Sequence, residues 1–209
     1  MKVGLQINLG VKDRLCVVVG GGDDATDKTT RLLEAGAKVT VVSPKLSEAL
    51  RSLAAAAKIL HRGRRFKLSD VEGGVWLVMN TVRDDEVLSR DLFALATQKG
   101  LLLCSTDQPA YSNFTMPAIV AKGPLRIAIS TSGVSPALAG RLRQDLEPLF
   151  DDRFEVFLEW LDVYRAHLQQ TEPNAEKRQA LLRDAVAKVK LQARIEFPKV
   201  EKKVEEKGT

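Results

Sequence analysis

Cysteine, histidine and aromatic residues are scarce in this chain: two Cys, two His, two Trp, two Tyr and seven Phe among 209 residues. Cys16 and Cys104 are too few for a disulfide framework or a thiolate metal cluster. Each sits at or beside an apolar run, as a packing thiol does. His61 and His167 are far apart and form no ligand pair, so no metal site is expected. The net charge of +5 suits an anionic partner, but no basic stripe carries interleaved aromatics, which argues against nucleic acid. No apolar run approaches the roughly 20 residues of a membrane span. Met1-Lys2-Val3-Gly4-Leu5 has no signal-peptide core, so a cytoplasmic location is expected.

What the chain does have is an apolar strand that runs into a glycine turn: Val17-Val18-Val19-Gly20-Gly21-Gly22-Asp23-Asp24-Ala25. Gly20, Gly22 and Ala25 fit G-x-G-x-x-A. The first glycine permits the tight turn, the second lets the backbone approach a pyrophosphate, and the third small residue packs the helix on the strand. The helix that follows ends at Gly36 and offers amide groups and a positive dipole end to phosphates.

Strands are expected over 14–19, 38–42, 58–62, 75–80 and 101–105, and helices over 25–34, 45–56 and 84–98. Runs such as Val39-Thr40-Val41-Val42 are apolar on both faces, as strands covered by helices on both sides must be. The fold class is therefore α/β: a Rossmann-like parallel sheet, followed by a small β excursion and an α-helical tail. Two short strands, 114–120 and 125–131, flank the turn Ala121-Lys122-Gly123-Pro124. Ser135 and Pro136 open a further helix as N-cap and first helical residue. In the tail, Phe154, Phe157, Leu158, Leu161 and Tyr164 recur at helical spacing, residues 180–195 form another amphipathic run, and the charge-rich stretch 198–209 is expected to fray. The expected division is 1–112 for a dinucleotide-binding domain, 113–150 for strands and helix serving substrate and dimer, and 151–209 for a helical domain.

Open parallel sheets bind ligands at the C-terminal ends of their strands. Four groups fall there: the glycine loop, Ser43-Pro44-Lys45, Asn80-Thr81-Val82-Arg83, and Cys104-Ser105-Thr106-Asp107. An acidic residue that would hold a ribose 2′-OH is replaced by Ser43. With Lys45 beside it, this end of the site also suits a 2′-phosphate, so residues alone leave NAD and NADP both open. Thr81 falls on the nicotinamide side, and Asp107 is the one carboxylate at its strand end, a candidate acid or base. It is also a natural turn residue before Gln108-Pro109.

Taken in order, Gly20-Gly21-Gly22 with Lys28, Asp107 to Ile119, Lys122-Gly123-Pro124-Leu125 and Ile129 to Arg143 resemble the precorrin-2 dehydrogenase family, which includes the N-terminal module of siroheme synthase. The Phe114-x-Met116-Pro117-Ala118-Ile119 and Ser130-x-x-Gly133-x-Ser135-Pro136-x-Leu138-Ala139 segments are its more specific parts. The resemblance implies NAD-dependent oxidation of precorrin-2 to sirohydrochlorin, with ferrous iron insertion in some relatives. It implies cofactor contacts at Gly22, Asp23, Asp24, Ser43, Pro44 and Lys45, catalysis at Asp107, and a homodimer. Ser130, Thr131, Ser132 and Ser135, at a helix N-terminus, suit the carboxylates of such a tetrapyrrole. The chain departs from the family pattern in three places. Asp24 replaces a Val or Ile, Thr81-Val82-Arg83-Asp84 replaces Ala-Thr-Asp-Asp, and Cys104-Ser105-Thr106-Asp107 replaces Asn-Val-Val-Asp. The competing readings are a nucleotide-sensing module without turnover, and a structural protein dimerised by its tail.

Overall fold

The computed structural model describes residues 4–196; the stretch expected to fray, 198–209, lies outside them. Five strands form one parallel sheet: β1 (Leu15–Val19), β2 (Lys38–Val42), β3 (Leu60–Arg62), β4 (Val75–Asn80) and β5 (Leu102–Ser105), in the order β3-β2-β1-β4-β5. Helices α1 (Asp23–Glu34), α2 (Glu48–Ala55) and α3 (Glu86–Lys99) lie between them in the chain. The chain adds strands to one side of β1, then returns to the other side with β4. The switch point of this α/β Rossmann-like sheet therefore falls between β1 and β4.

Alternation along the strands divides the core into two layers. Cys16 and Val18 of β1, with Val39, Val41, Leu77 and Met79, pack with Ala25 and Leu32 of α1 and Leu50 of α2. Val17 and Val19 point the other way and join Val42, Val78, Leu103 and, from α3, Leu92 and Ala96. Burial of each of these larger side chains contributes about 1.5–3 kcal/mol. The Cys16 thiol is deep in the first layer, and burial pushes its pKa up to about 11.

Helix starts follow the caps in the sequence. Ser47 accepts from Leu50 N and Asp85 from Leu88 N, so α2 and α3 begin a few residues later than periodicity alone suggests. Gly100, in the left-handed region at φ +67°, closes α3.

The excursion is a two-stranded sheet, β6 (Ala118–Lys122) and β7 (Leu125–Ile129). The expected strand from Phe114 is shorter because Pro117 lacks an amide and because residues 112–114 have another task. Asn113 Oδ1 accepts from Leu103 N at 2.8 Å, its Nδ2 donates to Leu101 O at 2.7 Å, and Ser112 Oγ accepts from Ser105 N at 2.9 Å. These side chains supply the edge of β5 with the partners a sixth strand would give. Helix α4 (Pro136–Leu146) follows, capped by Ser135.

Contacts divide the described chain into two units. One holds the residues up to Ala121 together with Leu125–Leu149; the other holds Lys122–Pro124 and the chain from Phe150 on. The second unit contains α5 (Asp152–Thr171) and α6 (Ala175–Val186). Phe150, Phe154, Phe157, Trp160 and Tyr164 make successive ring contacts along α5, ending in a Trp160–Tyr164 stack at 5.1 Å. The amphipathic run expected over 180–195 is corrected at both ends. Asn174 caps the helix by accepting from Lys177 N, so it starts at Ala175, and it ends at Val186.

Candidate functional site

The register of the sheet builds the site. Val42, Val19, Asn80 and Ser105 lie level across β2, β1, β4 and β5. One residue further on, Gly20 N donates to Val42 O, Thr81 N to Val19 O and Thr106 N to Asn80 O, at 2.8–3.0 Å. Three of the four groups expected from sequence thus leave the sheet at one edge, side by side, at the switch point. Ser43 leaves beside them, its amide donating to Arg62 O at 3.2 Å.

The glycine loop is dictated by close approach. Gly20 has φ +113°, and a Cβ there would lie 2.2 Å from Thr81 Oγ1. A Cβ on Gly21 would lie 1.9 Å from the backbone oxygen of Lys45. At Gly22 a Cβ would meet nothing within 4 Å, and no side chain caps α1. The first two glycines therefore serve packing, while the third faces open space at uncapped helix amides. That arrangement fits the pyrophosphate of a dinucleotide. Two carboxylates sit at the same helix start, in Asp23 and Asp24.

After β2, Ser43 is buried, and its hydroxyl donates to Lys45 O at 2.7 Å, which fixes the turn. Pro44 and Lys45, with Leu46, Arg51, Ala54 and His61, line an open cavity of about 490 Å³. His61 Nε2 lies 2.9 Å from Ser43 O, and Arg51 donates to Leu46 O at 2.7 Å. The hydroxyl of Thr81 donates to Val19 O at 2.9 Å and so ties β4 to β1 directly beneath Gly20.

Asp107 occupies a tight turn closed by Gln108 N donating to Ser105 O at 3.2 Å. Its φ is +59°, a left-handed conformation that Asp tolerates better than most residues, at a cost of about 1 kcal/mol. The carboxylate is 69% exposed and forms an ion pair with Arg83, whose Nε lies 3.2 Å from its Oδ2. Arg83 also donates from Nη2 to Asp24 Oδ2 at 2.5 Å. Among the described residues, the side-chain atoms buried without a partner are Thr29 Oγ1, Ser105 Oγ and Gln108 Oε1; the last two belong to residues on either side of the Thr106-Asp107 pair. Cys104, at the same strand end, has its thiol pKa raised chiefly by burial.

Ser130, Thr131, Ser132 and Ser135 follow β7 in the chain, before α4. Ser130 Oγ accepts from Ser132 N, Thr131 Oγ1 from Ser135 N, and Ser135 Oγ from Leu138 N. Ser132 has φ +53° and Gly133 φ +84°. The hydroxyls thus fold the turn that starts α4.

Two contributors were not singled out from sequence. Arg83 lies in one of the expected strand-end groups, and its charge is opposite to that of Asp24, another departure from the family pattern. Buried Asn80 donates to Ser89 Oγ and accepts from Val82 N, and so fixes the turn into Arg83. Nothing in a single sequence marks that asparagine apart from its place at a strand end.

Residues 7–118 match a family model described as "Putative NAD(P)-binding", and residues 122–148 match "Sirohaem biosynthesis protein central". The chain is 36% identical over 168 residues to a siroheme synthase of Thioalkalivibrio sulfidiphilus, covering 80% of this chain and 34% of that protein. It is 32% identical over 196 residues to a siroheme synthase of Methylococcus capsulatus, covering 92% and 41% respectively. The chain therefore spans between a third and two-fifths of the length of these relatives. A solved structure titled SirC, precorrin-2 dehydrogenase, shares the fold with a TM-score of 0.73 at 24% identity, covering 88% of this chain and 89% of that one. The chain belongs to the NAD(P)-binding family that its glycine loop and parallel sheet match, with the sirohaem-biosynthesis segment directly after it.

Proposed function

We propose that this chain is a precorrin-2 dehydrogenase that oxidises its substrate to sirohydrochlorin with NAD, within siroheme or cobalamin synthesis. The observation that carries the reading is the level row of strand ends. It sets an uncapped, open glycine loop and the Asp107 turn at one edge of one sheet, bridged by Arg83. The siroheme synthase relatives support the substrate class.

Bound NAD supplies a hydride acceptor. The chain's own residues do the rest. Gly20 and Gly22 shape the backbone for the pyrophosphate, with Asp23 and Asp24 at the helix start. Ser43, Pro44 and Lys45 border the adenosine end, and Thr81 braces the nicotinamide end. Asp107 accepts the proton that the macrocycle loses as the second half of the two-hydrogen oxidation. The unpaired Ser105 Oγ and Gln108 Oε1 favour a ligand beside Asp107, because leaving each buried group unsatisfied costs about 1–3 kcal/mol. The start of α4, with Ser130, Thr131, Ser132 and Ser135, offers a helix dipole to substrate carboxylates.

Residues 1–112 then serve the dinucleotide, 113–150 the substrate and dimer, and 151–209 form the C-terminal domain, whose described part carries α5 and α6. The aromatic ladder of α5, with Trp160 47% exposed, supports a homodimer through the tail. The enzyme works in the cytoplasm; among the described residues no helix is long and apolar enough to cross a membrane. Ferrous iron, as a second substrate, would enter the product with Asp107 taking pyrrole protons. The test is an anaerobic assay with precorrin-2 and NAD or NADP, with ferrous iron and sirohydrochlorin in a separate arm. NADH production with the sirohydrochlorin spectrum is expected. Nucleotide binding without turnover would favour a sensing module instead.

A further inference from the structure

We propose that Arg83 is a binding residue of the dinucleotide site: it cancels the charge of Asp24 where the pyrophosphate approaches, and it holds Asp107 with the same guanidinium. The inference rests on the NAD reading above and concerns how this particular chain tolerates its own loop.

Asp24 is the second residue of α1, within the turn whose amides and dipole would receive the phosphates. A carboxylate there is favoured by the dipole and, by the same logic, repels a diphosphate. Arg83 reaches it from the end of β4, 59 residues away in sequence, at 2.5 Å. Its backbone is fixed on both sides, since Asn80 Oδ1 holds Val82 N at 3.1 Å and Gln108 Nε2 donates to Arg83 O at 2.8 Å. A guanidinium can serve two acceptors from different nitrogens, which an ammonium on a flexible stem does less well. Nη2 takes Asp24 and Nε takes Asp107, so one cation spans the loop and the β5 turn. Both pairs are well exposed, with side-chain accessibilities of 44–69%, and ion pairs of that kind add little to stability. Their effect therefore falls on what binds between them.

The experiment is titration calorimetry of the full chain with NAD at low and moderate ionic strength, with melting temperatures as a folding control. Arg83→Met should weaken NAD binding roughly tenfold at low salt, since the Asp24 carboxylate loses its paired cation near a dianion. Raising the salt should narrow that gap, a response that a packing defect does not give. Adding Asp24→Asn to Arg83→Met should bring affinity back to within about twofold of wild type. Wild-type affinity in Arg83→Met overturns the proposal, and so does a double variant as weak as the single one. If the wild-type chain binds no NAD, the dinucleotide reading itself fails, which is a separate outcome from either of these.

Discussion

Arg83 stands between two carboxylates, 2.5 Å from Asp24 Oδ2 through Nη2 and 3.2 Å from Asp107 Oδ2 through Nε. Two of the residues that break the family pattern, Asp24 and Arg83, are therefore partners of each other. Without Arg83, Asp24 would be an uncompensated carboxylate beside the glycine loop. Together they are neutral, and their pairing ties the glycine loop to the turn that carries the proposed proton acceptor.

Asp107→Asn keeps the shape of the turn and removes the base. Asn tolerates the left-handed conformation at φ +59° as well as Asp does. Turnover of precorrin-2 should fall by at least about a hundredfold. NAD affinity and the melting temperature should stay near those of wild type. Steady-state rates and calorimetry on the same preparation check this; undiminished turnover removes Asp107 from catalysis.

Gly21 and Gly22 should separate folding from binding. Gly21→Ala drives a methyl into the Lys45 carbonyl at 1.9 Å, so the loop must move and the melting temperature should drop by several degrees. Gly22→Ala meets only open space and has φ −88°, which alanine adopts freely. Its melting temperature should be unchanged while NAD binding weakens, because the methyl occupies the approach to the pyrophosphate. Thermal scans with and without NAD distinguish the two.

Asp70 is an anchor away from the site. Its carboxylate is fully buried, accepts from Arg62 and, at 2.6–2.7 Å, from Arg64, and takes the Lys67 amide at 2.8 Å. The Arg64 pairing, foremost among these contacts, holds its pKa far below the ordinary 3.8. Stability from a depressed carboxyl is present above the unfolded value and is lost as pH falls through the folded one. Asp70→Asn should cost roughly 1–3 kcal/mol at neutral pH. The difference from wild type should shrink as pH drops below about 4, which thermal unfolding across pH 2–7 measures. A constant difference contradicts the ion-pair account.

The sheet was legible because runs such as those of β2 and β4 are apolar on both faces and β1, β2 and β4 are each followed by a helical period; β2 and β4 match their expected bounds to the residue. The glycine loop, the Ser135 cap and the turn at Gly123 were legible for the same local reason, that backbone chemistry names its residues. The early part of the 114–120 strand was not, because Asn113 and Ser112 turn side chains onto β5 and no periodicity records that. Nor was the bridge at Arg83. It joins residues 59 and 24 positions apart, and only the strand register brings them together.

The central claim is tested most directly by mixing the purified chain anaerobically with precorrin-2 and NAD and following NADH and sirohydrochlorin absorbance together. One NADH should appear for each sirohydrochlorin formed. NAD binding with no conversion of precorrin-2 would contradict the account.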